Sequence, residues 1–226
     1  MCSRLFQKLN HVGVAILVLP FFCVCFSGGV MRAAELVSEK SSVEKPEVVE
    51  QELPEFLPVL FPTFMNPEVS TFVPKSKRTS IALQACRGVE FDFVRTPKAR
   101  SLAKEKITPE LLAAADDYFK NTMPRLVRDS DGVVLCGILD TKYPVATAAL
   151  FSADFIDRLE PIFGEELMVA APRADRIYIF PALAAETGLF VKSILTDFRS
   201  AAQPVSQEMF GVKGNSIVAL GVIDDK

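Results

Sequence analysis

The chain has no tryptophan and one histidine, His11. His11 sits in an N-terminal stretch that reads as a leader, so the mature body holds no imidazole. That absence excludes Ser-His-Asp and Cys-His catalysis and zinc sites built on histidine. Cysteine is nearly as scarce. Cys2, Cys23 and Cys25 fall in the leader, and only Cys86 and Cys136 remain beyond it. Two thiolates cannot complete a four-sulfur zinc site. Positive charge is short as well. Beyond residue 34 there are 22 basic and 28 acidic residues, a balance with no electrostatic pull toward nucleic acid or an anionic lipid surface. No nucleophile elbow, dinucleotide fingerprint or stacked basic-aromatic surface is present.

Apolar matter is plentiful. Half of the residues are hydrophobic and 18 are phenylalanine, ample for a core. The leader comes first. Arg4 and Lys8 precede an uncharged run from Val12 to Phe26, and Ser27-Gly28-Gly29 follows. Basic, apolar, small is the order of a secretory signal peptide, here spanning residues 1–34. The other reading is an uncleaved anchor over residues 12–31, since about 20 apolar residues span a bilayer. Pro20 and the Ser-Gly-Gly run weaken that reading as a helix. Either way the body is exported, to the periplasm or the cell exterior, or held at a membrane. Membrane contact is expected only through this segment, if it is retained.

Residues 35–55 are rich in Glu, Ser, Lys, Val and Pro and hold no aromatic. Such a stretch buries too little to offset its ordering entropy and reads as a flexible spacer. From Phe56 the character changes. Residues 56–79 mix aromatics with four prolines, Pro58 to Pro74. Proline forbids helix and tolerates extended or edge geometry, so the stretch reads as an ordered, irregular arm lying on the core. Phe61, Phe64 and Phe72 are its candidate partner-binding residues, because an exposed apolar arm invites a partner.

A rhythm of hairpin and helix follows over 80–226. Residues 80–86 and 89–95 alternate as strands around Arg87-Gly88. Thr108, Pro109 and Glu110 start a helix that Pro124 ends. Residues 132–140 and 143–151 form the next expected strand pair. Ser152 caps a second helix and Gly164 closes it. Residues 166–172 and 176–182 form a third pair, a helix runs through Leu189 to Phe198, and 207–212 with 216–222 form the last hairpin. Short connections make each pair antiparallel. The expected fold is α+β: an antiparallel sheet of successive hairpins with about three helices on one face, in two layers.

From about Leu57 to Val222 the chain resembles the YtpQ-like family of bacterial proteins. The stretches that carry the likeness are LPVLFPTF with the following Asn-Pro, SIALQACRGVEFDFV with ITPELLAAADDYF, GEELMVAAPRADRIYIFPA and the tail from Thr196 to Leu220. Phe119 stands where relatives place an Asn. The family's function is itself unknown, so the resemblance implies a fold and carries over no catalytic residue.

The remaining motifs have plain structural readings. Arg128 to Gly132 looks like part of a calcium loop, but the oxygens and closing Glu of a full loop are missing. It reads as a turn. Gly211 to Ser216 lacks the spacing of a phosphate loop and reads as a hairpin turn. Asp116-Asp117 and Glu165-Glu166 are neighbours rather than facing pairs. Arg173, Asp175 and Arg176 crowd one turn: a surface ion pair, or a spot where Arg173 and Arg176 meet a partner. Cys86 and Cys136 are either two buried thiols or a disulfide, if their strands lie within reach. No catalytic residue, cofactor or metal site is expected. The sequence therefore favours a non-enzymatic binding module of the cell envelope, its partner another envelope protein and not nucleic acid. The alternative is a hydrolase-like enzyme using carboxylate or thiol chemistry without histidine.

Overall fold

Two antiparallel sheets and three α-helices account for most of the described residues, which in the computed structural model are 52–65, 70–87, 90–93, 107–182, 184, 188–214 and 216–224. All belong to the unit Val49–Lys226. The leader and most of the spacer lie outside the described residues, and with them the choice between cleavage and anchoring. Among the described residues no helix is long and apolar enough to cross a membrane.

The arm is a strand. Phe56–Pro62 (β1) is buried along its whole length and pairs with Thr79–Arg87 (β3). An edge strand is where proline's missing N–H costs least, and β1 is such an edge. The Leu60 N–H on its outer side donates to Thr147 Oγ1 at 3.1 Å, so the edge is capped rather than left open. Ser70–Phe72 (β2) and Glu90–Phe93 (β4) pair with the two ends of β3. The described residues of the stretch 56–79 are thus part of the domain, with Phe56–Pro62 and Ser70–Phe72 built into its smaller sheet.

The larger sheet contains Arg125–Arg128 (β5), Val134–Asp140 (β6), Leu167–Arg173 (β7), Arg176–Phe180 (β8), Glu208–Lys213 (β9) and Ser216–Val222 (β10), ordered β10-β9-β7-β8-β6-β5. One expected strand is absent. Residues 146–151 form a 3-10 helix, not a strand, and all six are buried. A run that is apolar but for Thr147 has no period to distinguish strand from buried turn. The partner of β6 is instead the short β5, with Asp129 Oδ1 accepting from the Asp131 and Val133 N–H groups across the turn. The segment with a calcium-loop look is this turn.

Among the described residues three α-helices join the sheets: Pro109–Phe119 (α1), Ala153–Phe163 (α2) and Val191–Ser200 (α3). The α+β class is the one expected. The helices, however, are divided between the faces of the larger sheet, and two sheets share the core. Period-2 alternation explains the division. Val169, Ile177, Ile179 and Phe210 point to one side and share a core with Leu57 and Val59 of β1, Phe119 of α1, and Phe155 and Leu159 of α2. Ala170, Tyr178, Phe180 and Cys136 point to the other and meet Ile194 and Leu195 of α3. Both faces of these strands are apolar, so both must be covered.

Close packing fixes one glycine. A side chain at Gly137 of β6 would lie 2.8 Å from the Phe163 ring at the end of α2, so only glycine admits this approach.

Helices α1 and α2 cap each other. Ser152 Oγ accepts from the Phe155 N–H at 3.1 Å and donates to Asp116 of α1 at 2.8 Å. In return Arg158 of α2 donates to the Phe119 carbonyl at the end of α1, at 2.6 Å. An acid thus meets a helix N-terminus and a base meets a C-terminus, as the helix dipoles favour.

Candidate functional site

The turn from β7 to β8 gathers the charges. Arg173 makes two bonds of 2.6 Å to the two oxygens of Asp175, the forked geometry that guanidinium and carboxylate favour. Antiparallel register sets Arg176 opposite Asp140, and the two are bonded. Arg176 also reaches Asp197 on α3 at 3.0 Å. The Tyr178 hydroxyl donates to the same Asp197 oxygen at 2.6 Å. Burial opposes the charge on Arg176, but its bonds to Asp140 and Asp197 outweigh that and raise its pKa. Burial and the bond to Asp197 push Tyr178 up too. Asp175 is held low, because Arg173 outweighs its partial burial. Two guanidiniums face three carboxylates here, so Arg173 and Arg176 are committed within the fold. The cluster pins α3 to the sheet and offers an incoming anion no uncommitted cation.

The thiols are equally withdrawn. Cys86 on β3 and Cys136 on β6 are free and buried. They stand in different sheets and in separate apolar clusters, so the disulfide left open by the sequence is not formed. Burial pushes both up to about 12. They stay protonated near neutrality and are poor nucleophiles. Among the described residues no three His, Cys, Asp or Glu side chains are placed to hold a metal ion.

Glu208 is a residue the sequence reading overlooked. It alternates inward with Phe210 and Val212 along β9 and is 5% exposed. Its carboxylate accepts from Ser76 at 2.7 Å and Thr79 at 2.6 Å, and Thr79 bonds Ser206 at 2.8 Å. Ser76 Oγ in turn accepts from the Arg78 and Thr79 N–H groups. A buried carboxylate is tolerable only with such donors. The network ties the loop before β3 to the larger sheet.

The three candidate phenylalanines separate. Phe61 is buried at 8% exposure and belongs to the core side of β1, which removes it from the candidate surface. Phe64 is 73% and Phe72 66% exposed, and Met65 between them in sequence is 55% exposed. They sit at one end of the smaller sheet. Phe64 and Met65 lie in the 3-10 turn Thr63–Met65 that leaves β1, and Phe72 stands opposite Ser80 at the start of β3. Among the described residues this tip holds three exposed apolar side chains, on the turn after β1 and on β2. Composition alone marks its phenylalanines in the sequence; Met65 and the loop 75–78 beside it carry no such mark.

Compared with known proteins, the chain matches no family model, no curated protein and no solved structure.

Proposed function

We propose that this domain is a non-enzymatic binding module of the cell envelope whose contact surface is the tip of the smaller sheet. The observation that carries the reading is the exposure of Phe64, Met65 and Phe72 on a tip held from behind by the Glu208 network. Exposed aromatics on a rigid mount lose little conformational entropy when they bind, which favours recognition. The competing thiol chemistry has less to work with, since both body thiols are buried and protonated. The competing carboxylate chemistry loses Asp140, Asp175 and Asp197 to ion pairs and hydrogen bonds.

Cysteine accessibility tests the reading without naming the occupant. Phe72→Cys and, as a control, the equally exposed Leu189→Cys are made in the full chain. Labelling by a hydrophilic maleimide is timed in purified protein and in intact envelopes. The expected result is a rate at position 72 that falls by about an order of magnitude in envelopes while position 189 is unchanged, the scale of a contact worth about 1.4 kcal/mol. Equal labelling at 72 in both settings overturns the proposal.

A further inference from the structure

The sequence as a whole repels an anionic surface, but the fold gathers a local exception. The Thr63 N–H donates to the Arg78 carbonyl at 2.8 Å, and Thr63 Oγ1 donates to the Lys77 carbonyl at 3.3 Å. These bonds set the turn bearing Phe64 and Met65 directly beside the loop Pro74–Arg78. In that loop Ser76 turns inward to Glu208, and Lys75, Lys77 and Arg78 are exposed. Among the described residues none of the three is ion-paired to a carboxylate. Residues 56–82 hold these three bases and a single acid. The tip therefore presents an apolar wedge with a cationic collar.

We infer that the tip docks on an anionic lipid surface, with Phe64, Met65 and Phe72 entering the interfacial layer and Lys75, Lys77 and Arg78 meeting the headgroups. This deepens the binding-module reading and rests on it. Two features select a membrane over a protein patch. Wedge and collar are adjacent at one end of the sheet, the arrangement that lets apolar burial and headgroup attraction act together. The collar also has one sign, which matches a surface of uniform negative charge. The acidic remainder of the domain does not cancel this. Among the described residues the acid bonded into the loop is Glu208, a single buried charge against three exposed bases, and exposed charges beyond about 8 Å are screened at physiological salt.

The absence of tryptophan makes the test specific to the tip, whatever the N-terminal segment does. Phe72→Trp places the chain's one indole at the site. The full chain is mixed with phosphatidylcholine vesicles and with equimolar phosphatidylcholine–phosphatidylglycerol vesicles, each with and without brominated acyl chains. The expected result is a blue shift and bromine quenching with the anionic vesicles only. Adding Lys75→Gln, Lys77→Gln and Arg78→Gln should then weaken tip insertion about a hundredfold, at roughly fivefold per base removed. Circular dichroism confirms that both variants fold. If the indole is unquenched by anionic vesicles yet position 72 is shielded in envelopes, a protein covers the tip and the lipid inference is overturned. If neither effect occurs, the binding reading falls with it.

Discussion

At the scale of single residues, the three phenylalanines of the Pro-rich segment show how far composition reaches. Phe61, Phe64 and Phe72 look alike in the sequence, and the fold gives them different work. Phe61 faces the core from β1, while Phe64 and Phe72 face water. Phe61→Ala should therefore cost about 3 kcal/mol of stability, whereas Phe64→Ala and Phe72→Ala should change it by about 0.5 kcal/mol or less. Urea unfolding midpoints check this, and a large loss at position 72 would place that side chain in the core. Glu208 was legible in principle. It occupies an inward position of an alternating strand between Ser206 and Phe210, and a charge on the apolar face of a strand is a signal in itself. Its partners Ser76 and Thr79 were not legible, since they arrive from more than 120 residues away.

At the scale of elements, what could be read was what carries a period or a cap. The α1 start at Thr108-Pro109, the Ser152 cap of α2 and the hairpin of β9 and β10 appear where local rules put them, although the Thr108 side chain, unlike that of Ser152, makes no cap bond. Two elements escaped. β1 contains prolines, and only its edge position makes them acceptable. The run Ala146–Phe151 is apolar but for Thr147, whose hydroxyl is taken by β1, so its 3-10 path depends on β1 and the sheet around it. The crossed caps of α1 and α2 were equally beyond reach, because each joins residues far apart in sequence. Asp116 supports the first turn of α2 through Ser152 and through the Asp154 N–H at 3.2 Å. Asp116→Ala should lower stability by about 1 kcal/mol, as loss of a helix cap does. Asp117→Ala on the same helix should do almost nothing, since its pair with Lys120 is exposed. Thermal unfolding of the two variants side by side is the check, and equal losses would contradict the cap.

At the scale of the whole molecule, the burial of both body thiols has a pH consequence. In the unfolded chain they ionise near their ordinary 9.0, and in the folded chain near about 12. Their folded pKa values are raised, so their contribution is complete below pH 9 and is lost as pH rises through that window. The loss should reach about 1 kcal/mol per thiol by about pH 10. Tyr118 and Tyr178 are raised as well and act in the same direction. Urea midpoints at rising alkaline pH should fall, and Cys86→Ala with Cys136→Ala should flatten part of that fall. A slope unchanged in the double variant would place the thiols in contact with water.

The division of labour across the molecule is the larger point: the Arg173–Arg176 charges are paired among themselves and the thiols are buried, and the tip of the smaller sheet is left to meet something else. Two native methionines test this directly in the unmodified chain. Met65 lies on the tip and Met123 away from it after α1, with 55% and 46% exposure. Exposed methionine oxidises readily, and a covered one is protected. In purified protein the two should form sulfoxide at similar rates under dilute peroxide. In intact envelopes Met65 should lag well behind Met123. Equal oxidation of both in envelopes would contradict the account.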